Sequence, residues 1–191
     1  GILRQWCAIA ILTTSYKYIK ARRFFPFLSV VLIAMLFHRT AAIFLLAYFV
    51  ERIPLNKNII IAAIPVSAVA GLLGGKILSV LNKFARISEG GNFNGGISLL
   101  IVLWLCIGAT LVCFKGNIPK DLKFYMRIVF LAAFLQPIAF TFSNWARIVG
   151  YFSISLLIFL PNVVSKVIVE SKQNAKISIL IVTAVCGLMV L

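Results

Sequence analysis

Long apolar runs, separated by short segments rich in lysine and arginine, dominate this chain. A helical run that approaches 20 apolar residues is long enough to cross the hydrocarbon core of a bilayer. Because 62% of the 191 residues are hydrophobic and only 12% are charged, we expect an all-α protein. The expected fold is a polytopic transmembrane helical bundle in which residues 1–191 form a single transmembrane domain. The runs are Ile2–Ser15, Phe24–Val50, Ile59–Gly75, Ile97–Phe114, Ile128–Phe142, Ile148–Val164 and Ile177–Leu191.

Both ends of the sequence lie inside apolar runs. The chain starts at Gly1 with no initiator methionine, stops at Leu191, and shows no signal-peptide pattern at its start. We therefore expect it to be part of a longer membrane protein.

The charge pattern predicts a membrane orientation and argues against nucleic acid as a partner. Lysine and arginine number 19 against four acidic residues, and they cluster between the apolar runs without interleaved aromatics. Such clusters follow the positive-inside rule, so nucleic acid is not an expected partner. The four cysteines lie within apolar runs with no CxxC spacing, which is typical of small buried side chains and not of a metal site.

The 27-residue run Phe24–Val50 decides the topology. If it crosses the membrane once, the flanking segments hold eight positive charges on one side and nine on the other. If it instead enters and returns as a re-entrant or short helical hairpin, the cytoplasmic segments hold 13 and the outer segments four. Only the hairpin gives the bias that the positive-inside rule expects.

The hairpin also accounts for "FHRTA", a histidine and an arginine in the middle of the run. Each arm has about 13 residues and reaches about 20 Å, which is less than a full crossing. The apex falls at residues 37–40, so His38 and Arg39 would lie in a wet cavity near the outer face. An arginine at the centre of a single span would cost about 2.5 to 3.5 kcal/mol. The alternative is one long tilted helix with His38 packed against a neighbour.

The same topology gathers further polar residues on the outer side. Arg4 starts the first run and Arg147 lies in the short "SNWAR" segment. The long outer loop, residues 76–96, contains "KILSVLNKFARI", whose pattern predicts an amphipathic helix in the interface. The "SEGGNFNGG" that follows offers Asn92 for hydrogen bonds and Phe93 for stacking on a sugar, or it is a flexible connector.

This set of residues favours phosphate chemistry. Guanidinium groups hold two phosphate oxygens and stay charged, and a histidine can transfer or share a proton near neutral pH. One histidine and four acids provide no usual metal site, so we expect no metal and no cofactor. No phosphate-binding loop and no GxSxG motif is present. The residues therefore point to a lipid-linked phosphate compound at the outer leaflet.

Three motifs in order resemble the C-terminal half of the EpsG family of Wzy-like bacterial polysaccharide polymerases. They are "GILRQWCAIAI", "RRFFPFLSVVLIAMLFHRTAAIFLLAYFVER" and "NWARIVGYFSISLLIFLP". The matched features are the Arg-Gln pair before a small apolar helix, the Phe-His-(Lys/Arg)-(Ser/Thr)-Ala apex, and Arg-Ile-x-x-Tyr-Phe before an apolar run with proline. The three motifs cover 60 of the 191 residues.

The resemblance implies a multi-pass glycosyltransferase of the bacterial plasma membrane that assembles exopolysaccharide or O-antigen. Its substrates would be undecaprenyl-diphosphate-linked oligosaccharides, joined without a metal or a nucleotide sugar. A chain-length regulator and a flippase are possible protein partners, in addition to the lipid bilayer.

The resemblance also implies roles for single residues. Arg4 and Arg147 would neutralise the leaving diphosphate, with Arg39 beside them, since charge builds there as the glycosidic bond breaks. Gln5 would bind sugar or phosphate. His38 would contact the diphosphate or act as general base.

Three further roles remain in this prediction. Tyr151 would orient Arg147 from the next helical turn, and Asn92 and Phe93 would contact sugar. Glu89 is the only acid on the predicted outer side, so the base is Glu89, His38 or a residue of a missing N-terminal half. We favour the last of these, which would make this fragment inactive alone.

Each role has a structural alternative. In it Arg4 only reaches the lipid headgroups, Arg147 anchors a turn, His38 packs against a neighbour, and Tyr151 is an interfacial aromatic. Two other functions also remain open: a component that transports or translocates a lipid-linked substrate, and a membrane O-acyltransferase of the same pathways.

Overall fold

The computed structural model describes residues 2–85, 96–114, 117–140 and 143–170, and these ranges are entirely helical apart from short turns. The all-α prediction is therefore confirmed for them. The α-helices are α1 (Ile2–Thr13), α2 (Tyr16–Lys20), α3 (Phe24–Phe37), α4 (Leu45–Val50), α5 (Lys57–Ala85), α6 (Ile97–Cys113), α7 (Lys120–Leu135), α8 (Ser143–Ser153) and α9 (Leu156–Glu170), with 3-10 segments at Arg39–Phe44 and Gln136–Phe140.

Two helical segments of the described ranges are long and apolar enough to cross a membrane. They are Lys120–Phe140, with 21 residues, and Trp145–Lys166, with 22. Both begin before the apolar runs predicted for this part of the chain, because charged and aromatic residues form their first turns. The other apolar helices are shorter, so the number of crossings stays a prediction. The run Ile177–Leu191 lies outside the described residues.

The chain reverses direction inside the run Phe24–Val50. Helix α3 ends at His38, whose backbone is extended (φ −151°, ψ 113°), and the His38 carbonyl then accepts a hydrogen bond from the Ala41 amide, at 2.9 Å. The returning limb packs antiparallel to α3: the rings of Phe24 and Tyr48 lie 5.1 Å apart, and those of Phe27 and Tyr48 lie 5.3 Å apart. The predicted hairpin is present, and its depth in a membrane stays a prediction.

The interfacial helix predicted after residue 76 is not a separate element. Helix α5 continues through it to Ala85, with Pro65 inside the helix. Midway along α5, Gly71 lies against the 3-10 segment that leads toward α8: a Cβ at Gly71 would be 2.7 Å from the Pro137 Cβ. The close approach of the two backbones requires glycine here.

Contacts between four of the predicted cytoplasmic segments form one end of the molecule, which we call the basic end. The Tyr48 hydroxyl donates to the Arg22 carbonyl at 3.1 Å. Lys20 donates to the Tyr125 hydroxyl at 3.1 Å, and its ammonium group lies 4.2 Å from the centre of that ring. Two ion pairs complete the basic end, Arg127–Glu51 at 3.0 Å and Lys166–Asp121 at 3.4 Å.

The core joins the hairpin to its neighbours on both sides. Helix α1 packs on α3, and Ala8 of α1 and Ala34 of α3 are both fully buried. On the other side, the ring of Phe44 stacks on that of Phe152 in α8, with centroids 5.5 Å apart and both side chains fully buried. These two contacts fix the hairpin apex between the start of α1 and helix α8.

Candidate functional site

The candidate site lies at the hairpin apex, one length of α3 away from the basic end. With 14 residues, α3 separates the two ends by about 20 Å. We call this region the apex end. It is formed by polar residues from the first turns of α1, the apex itself and helix α8. These residues are Arg4, Gln5, His38, Arg39, Thr40, Arg147 and Tyr151.

A closed triangle of hydrogen-bonding atoms lies at its centre. The His38 Nδ1 is 2.6 Å from the Thr40 Oγ1 and 3.0 Å from the Tyr151 Oη. The two hydroxyl oxygens are 3.0 Å apart. Tyr151 is 1% exposed, while Thr40 is exposed and His38 is half-buried. The histidine ring is therefore held on its Nδ1 side by two hydroxyl groups.

A second contact fixes the backbone of α8 beside α1. The Gln5 side-chain amide donates to the Arg147 carbonyl at 2.7 Å. At the start of α8, the Trp145 indole donates to the Leu135 carbonyl at 3.1 Å. Arg147 thus sits on a helix that is tied at two points.

The arginines of the apex end have no acidic partner among the residues that the structure describes. Arg4, Arg39 and Arg147 are exposed and form no ion pair there. Partial burial lowers the pKa of His38, and the positive charges of Arg147 and Arg4 lower it further. His38, at the junction of two short helices, is therefore neutral near pH 7. The nearby arginines create a positive field suited to an anion.

The structure brings most of the predicted site residues together. Arg4, His38, Arg39 and Arg147 share the apex end, as the charge count predicted, and Gln5 lies beside them. The predicted partner of Tyr151 was wrong, because its hydroxyl bonds to His38 and Thr40 and not to the Arg147 guanidinium.

Other predicted residues change role or fall outside the structure. The Gln5 amide nitrogen joins two helices through the Arg147 carbonyl, and its predicted contact with sugar or phosphate stays a prediction. Thr40 was not predicted as a site residue, because its position in the apex motif was the sole sequence signal for it. Glu89, Asn92 and Phe93 lie outside the described residues, and their roles stay predictions.

The described side chains also bear on what the site can hold. In those ranges no three histidine, cysteine or acidic side chains come together as metal ligands. The absence of a metal and of a cofactor stays a prediction. What the apex end does offer is three guanidinium groups and an imidazole, which together can bind a diphosphate.

Comparison with known families places the chain in a family. The model of the EpsG family matches residues 1–191, the whole chain. EpsG is a Wzy-like polymerase family of membrane proteins, and the match indicates a role of the polymerase kind in polysaccharide biosynthesis. Comparison with curated proteins and with solved structures gave no match.

Proposed function

Because the chain belongs to the EpsG family, we propose that it is the part of a polysaccharide polymerase that binds the lipid diphosphate of its donor. The enzyme would join undecaprenyl-diphosphate-linked oligosaccharide repeat units at the outer face of the bacterial plasma membrane. The observation that supports this most is a set of arginines near His38 that have no acidic partner among the described residues.

The proposed reaction would develop negative charge on the diphosphate, next to the arginines of the apex end. The bond between the anomeric carbon and the diphosphate oxygen breaks, and a glycosidic bond to the acceptor hydroxyl forms. The diphosphate leaves with increased negative charge, and the acceptor proton passes to a base. Arg4, Arg39 and Arg147 would stabilise the leaving group, since fixed positive groups lower the energy of a transition state in which negative charge develops.

The two ends fit a multi-pass orientation. The basic end would face the cytoplasm, as the positive-inside rule requires. The segments Lys120–Phe140 and Trp145–Lys166 would cross the bilayer, and the short hairpin would bring His38 to the outer face. The acceptor base would be Glu89, His38 or a residue upstream of this chain. A flippase and a chain-length regulator would act with the enzyme.

The test is a gel ladder of surface polysaccharide from cells that express the full-length parent gene. Arg4→Ala, His38→Ala and Arg147→Ala are compared with the wild type at matched membrane expression. Arg23→Ala is the control, since Arg23 is an exposed arginine at the basic end with no side-chain partner among the described residues.

We expect the three apex-end variants to accumulate single repeat units and lose the ladder, while the control keeps it. An unchanged ladder in all three would sink the proposal. Loss of single repeat units together with the ladder would instead indicate that the residues serve translocation.

A further inference from the structure

Helix α1 has one polar side chain in the stripe that it packs against its neighbours. Residues at i, i+3, i+4 and i+7 lie on one face of a helix, and in α1 these are Gln5, Ala8, Ile9 and Leu12. The last three are apolar and buried, whereas Gln5 is half-buried. The Gln5 amide needs a partner there, because burying a polar group without a hydrogen bond costs free energy.

The partner of Gln5 is the backbone of α8. The Gln5 Nε2 donates to the Arg147 carbonyl at 2.7 Å, and a backbone carbonyl only accepts, so the amide atom that faces it is the nitrogen. Helix α1 packs mainly on α3, and α8 packs mainly on α7 and the two 3-10 segments. No other side-chain hydrogen bond joins α1 to α8 within the described ranges. The Gln5 amide is thus their direct connection.

This hydrogen bond links the backbone positions of two arginines. Arg4 directly precedes Gln5, and Arg147 supplies the carbonyl. Partial burial lowers the pKa of His38, and the charges of Arg147 and Arg4 lower it further. Charges farther apart than about 10 Å are largely screened at ordinary salt concentrations. Both guanidinium groups therefore lie near the same imidazole.

We propose that Gln5 is a positioning residue whose hydrogen bond sets the spacing between Arg4 and Arg147, so that the two guanidinium groups together bind both phosphates of a diphosphate. The inference rests on the proposed function for the identity of the anion. One guanidinium can hold two phosphate oxygens, so a pair at a fixed spacing suits two linked phosphates. A spacing that is fixed before the ligand arrives lowers the ordering cost of binding. Gln5 acts in this way without contacting the ligand.

The direct test compares the affinities of the purified full-length protein for farnesyl diphosphate and farnesyl monophosphate. Gln5→Met removes the N–H donor and keeps a side chain of similar length. A monophosphate needs only one of the two guanidinium groups. We therefore expect Gln5→Met to bind the diphosphate about 10-fold more weakly, because about one charge-assisted contact is lost. It should bind the monophosphate as the wild type does.

Leu12→Met is the matched control, because it changes the same face of α1 two turns away and leaves the Gln5 hydrogen bond in place. It should keep both affinities. Equal weakening of both ligands in Gln5→Met would indicate direct phosphate contact or a general loss of structure. Unchanged binding of both would indicate that Gln5 does not position the arginines. Either result would overturn the inference.

A measurement without ligand tests the spacing itself. Nitroxide labels are attached to Arg4→Cys and Arg147→Cys in a cysteine-free parent, and dipolar EPR reports the distance between them. We expect a narrow distribution of distances when Gln5 is present and a broader one in Gln5→Met. The Leu12→Met control should stay as narrow as the parent. Identical distributions with Gln5 and with Gln5→Met would contradict the positioning role.

The two measurements separate this inference from the proposed function. If the wild type bound farnesyl diphosphate no more tightly than uncharged farnesol, the proposed function would fail. The EPR distances would still decide whether Gln5 sets the spacing of the arginines. If the wild type bound the diphosphate tightly and Gln5→Met kept the ratio of the two affinities, the positioning role alone would fail.

Discussion

The two ends of the hairpin use the same residue type in different ways. At the basic end, Arg127 binds Glu51 at 3.0 Å and the Ile53 carbonyl at 3.0 Å, with both charged side chains about one-fifth exposed. At the apex end, Arg4 and Arg147 are exposed and have no acidic partner among the described residues. The first arrangement joins chain segments, whereas the second leaves positive charge available to an anion.

The role of an arginine in this basic membrane protein therefore depends on the groups that its guanidinium contacts. A paired, partly buried guanidinium has satisfied donors, and its removal leaves a carboxylate without a partner. An exposed guanidinium that has no acidic partner in the described part of the chain can still donate its hydrogen bonds to an anion. The following predictions test this division.

The largest expected effect is on accessibility, because the two ends should lie on opposite sides of the membrane. Arg39→Cys at the apex end and Asn117→Cys at the basic end are made singly in a cysteine-free parent. We expect a membrane-impermeant maleimide applied to spheroplasts to label Arg39→Cys at once, and Asn117→Cys only after permeabilisation. Equal labelling of both before permeabilisation would contradict the orientation.

The next effect is on stability at the basic end. Arg127→Ala should lower the free energy of unfolding by about 1.5 to 3 kcal/mol, because hydrogen bonds with charged groups contribute that much and Glu51 is left unpaired. Thermal unfolding in detergent measures it, with Arg23→Ala as the matched control. At equal folded amounts the variant should still polymerise. Loss of the ladder at unchanged stability would contradict the assignment of function to the apex end.

Much of this division could be predicted from the sequence. The charge count identified the hairpin and the grouping of Arg4, His38 and Arg147, because membrane orientation depends on loop charges that sequence displays directly. The contacts within each end could not be predicted. Tyr151 lies 113 residues from His38 and Arg127 lies 76 from Glu51, and such partners are set by helix packing.

Some helix boundaries could not be predicted from the sequence either. Helix α7 begins at Lys120 and not at Ile128, because a charged first turn extends the helix past its apolar face. The break at Ile154 and Ser155 between α8 and α9 had no glycine or proline to mark it. Hydrophobicity locates a helix but does not report where its hydrogen bonds begin.

A smaller effect is expected where α5 meets the segment that leads to α8. Gly71→Ala would place a Cβ 2.7 Å from the Pro137 Cβ and 3.0 Å from its carbonyl oxygen. Such overpacking costs about 1 to 3 kcal/mol. Gly108→Ala in α6 is the control, since a Cβ there meets nothing within 4 Å, and it should stabilise by about 0.5 to 1 kcal/mol. Equal thermal shifts in both variants would contradict the close contact.

The smallest effect is on the titration of His38. Its pKa is lowered from the ordinary 6.5, so as pH falls the unfolded chain is protonated first and the folded state loses stability below that value. Arg147→Ala removes one positive charge and should raise the pKa of His38, while Arg52→Ala at the basic end should not. The imidazole ¹⁵N signal followed against pH measures this. An equal change in both variants would contradict the grouping of charges.

The most direct measurement is binding of farnesyl diphosphate, a short-chain isoprenyl diphosphate, to the purified full-length protein, with farnesol as the uncharged control. The double variant Arg4→Ala, Arg147→Ala is compared with Arg23→Ala, Arg52→Ala. Each charge-assisted contact is worth about 1.5 to 3 kcal/mol, so the apex-end double variant should bind at least about 100-fold more weakly. The basic-end variant should bind as the wild type does. Equal affinity in both variants would contradict the assignment of the diphosphate to the apex end.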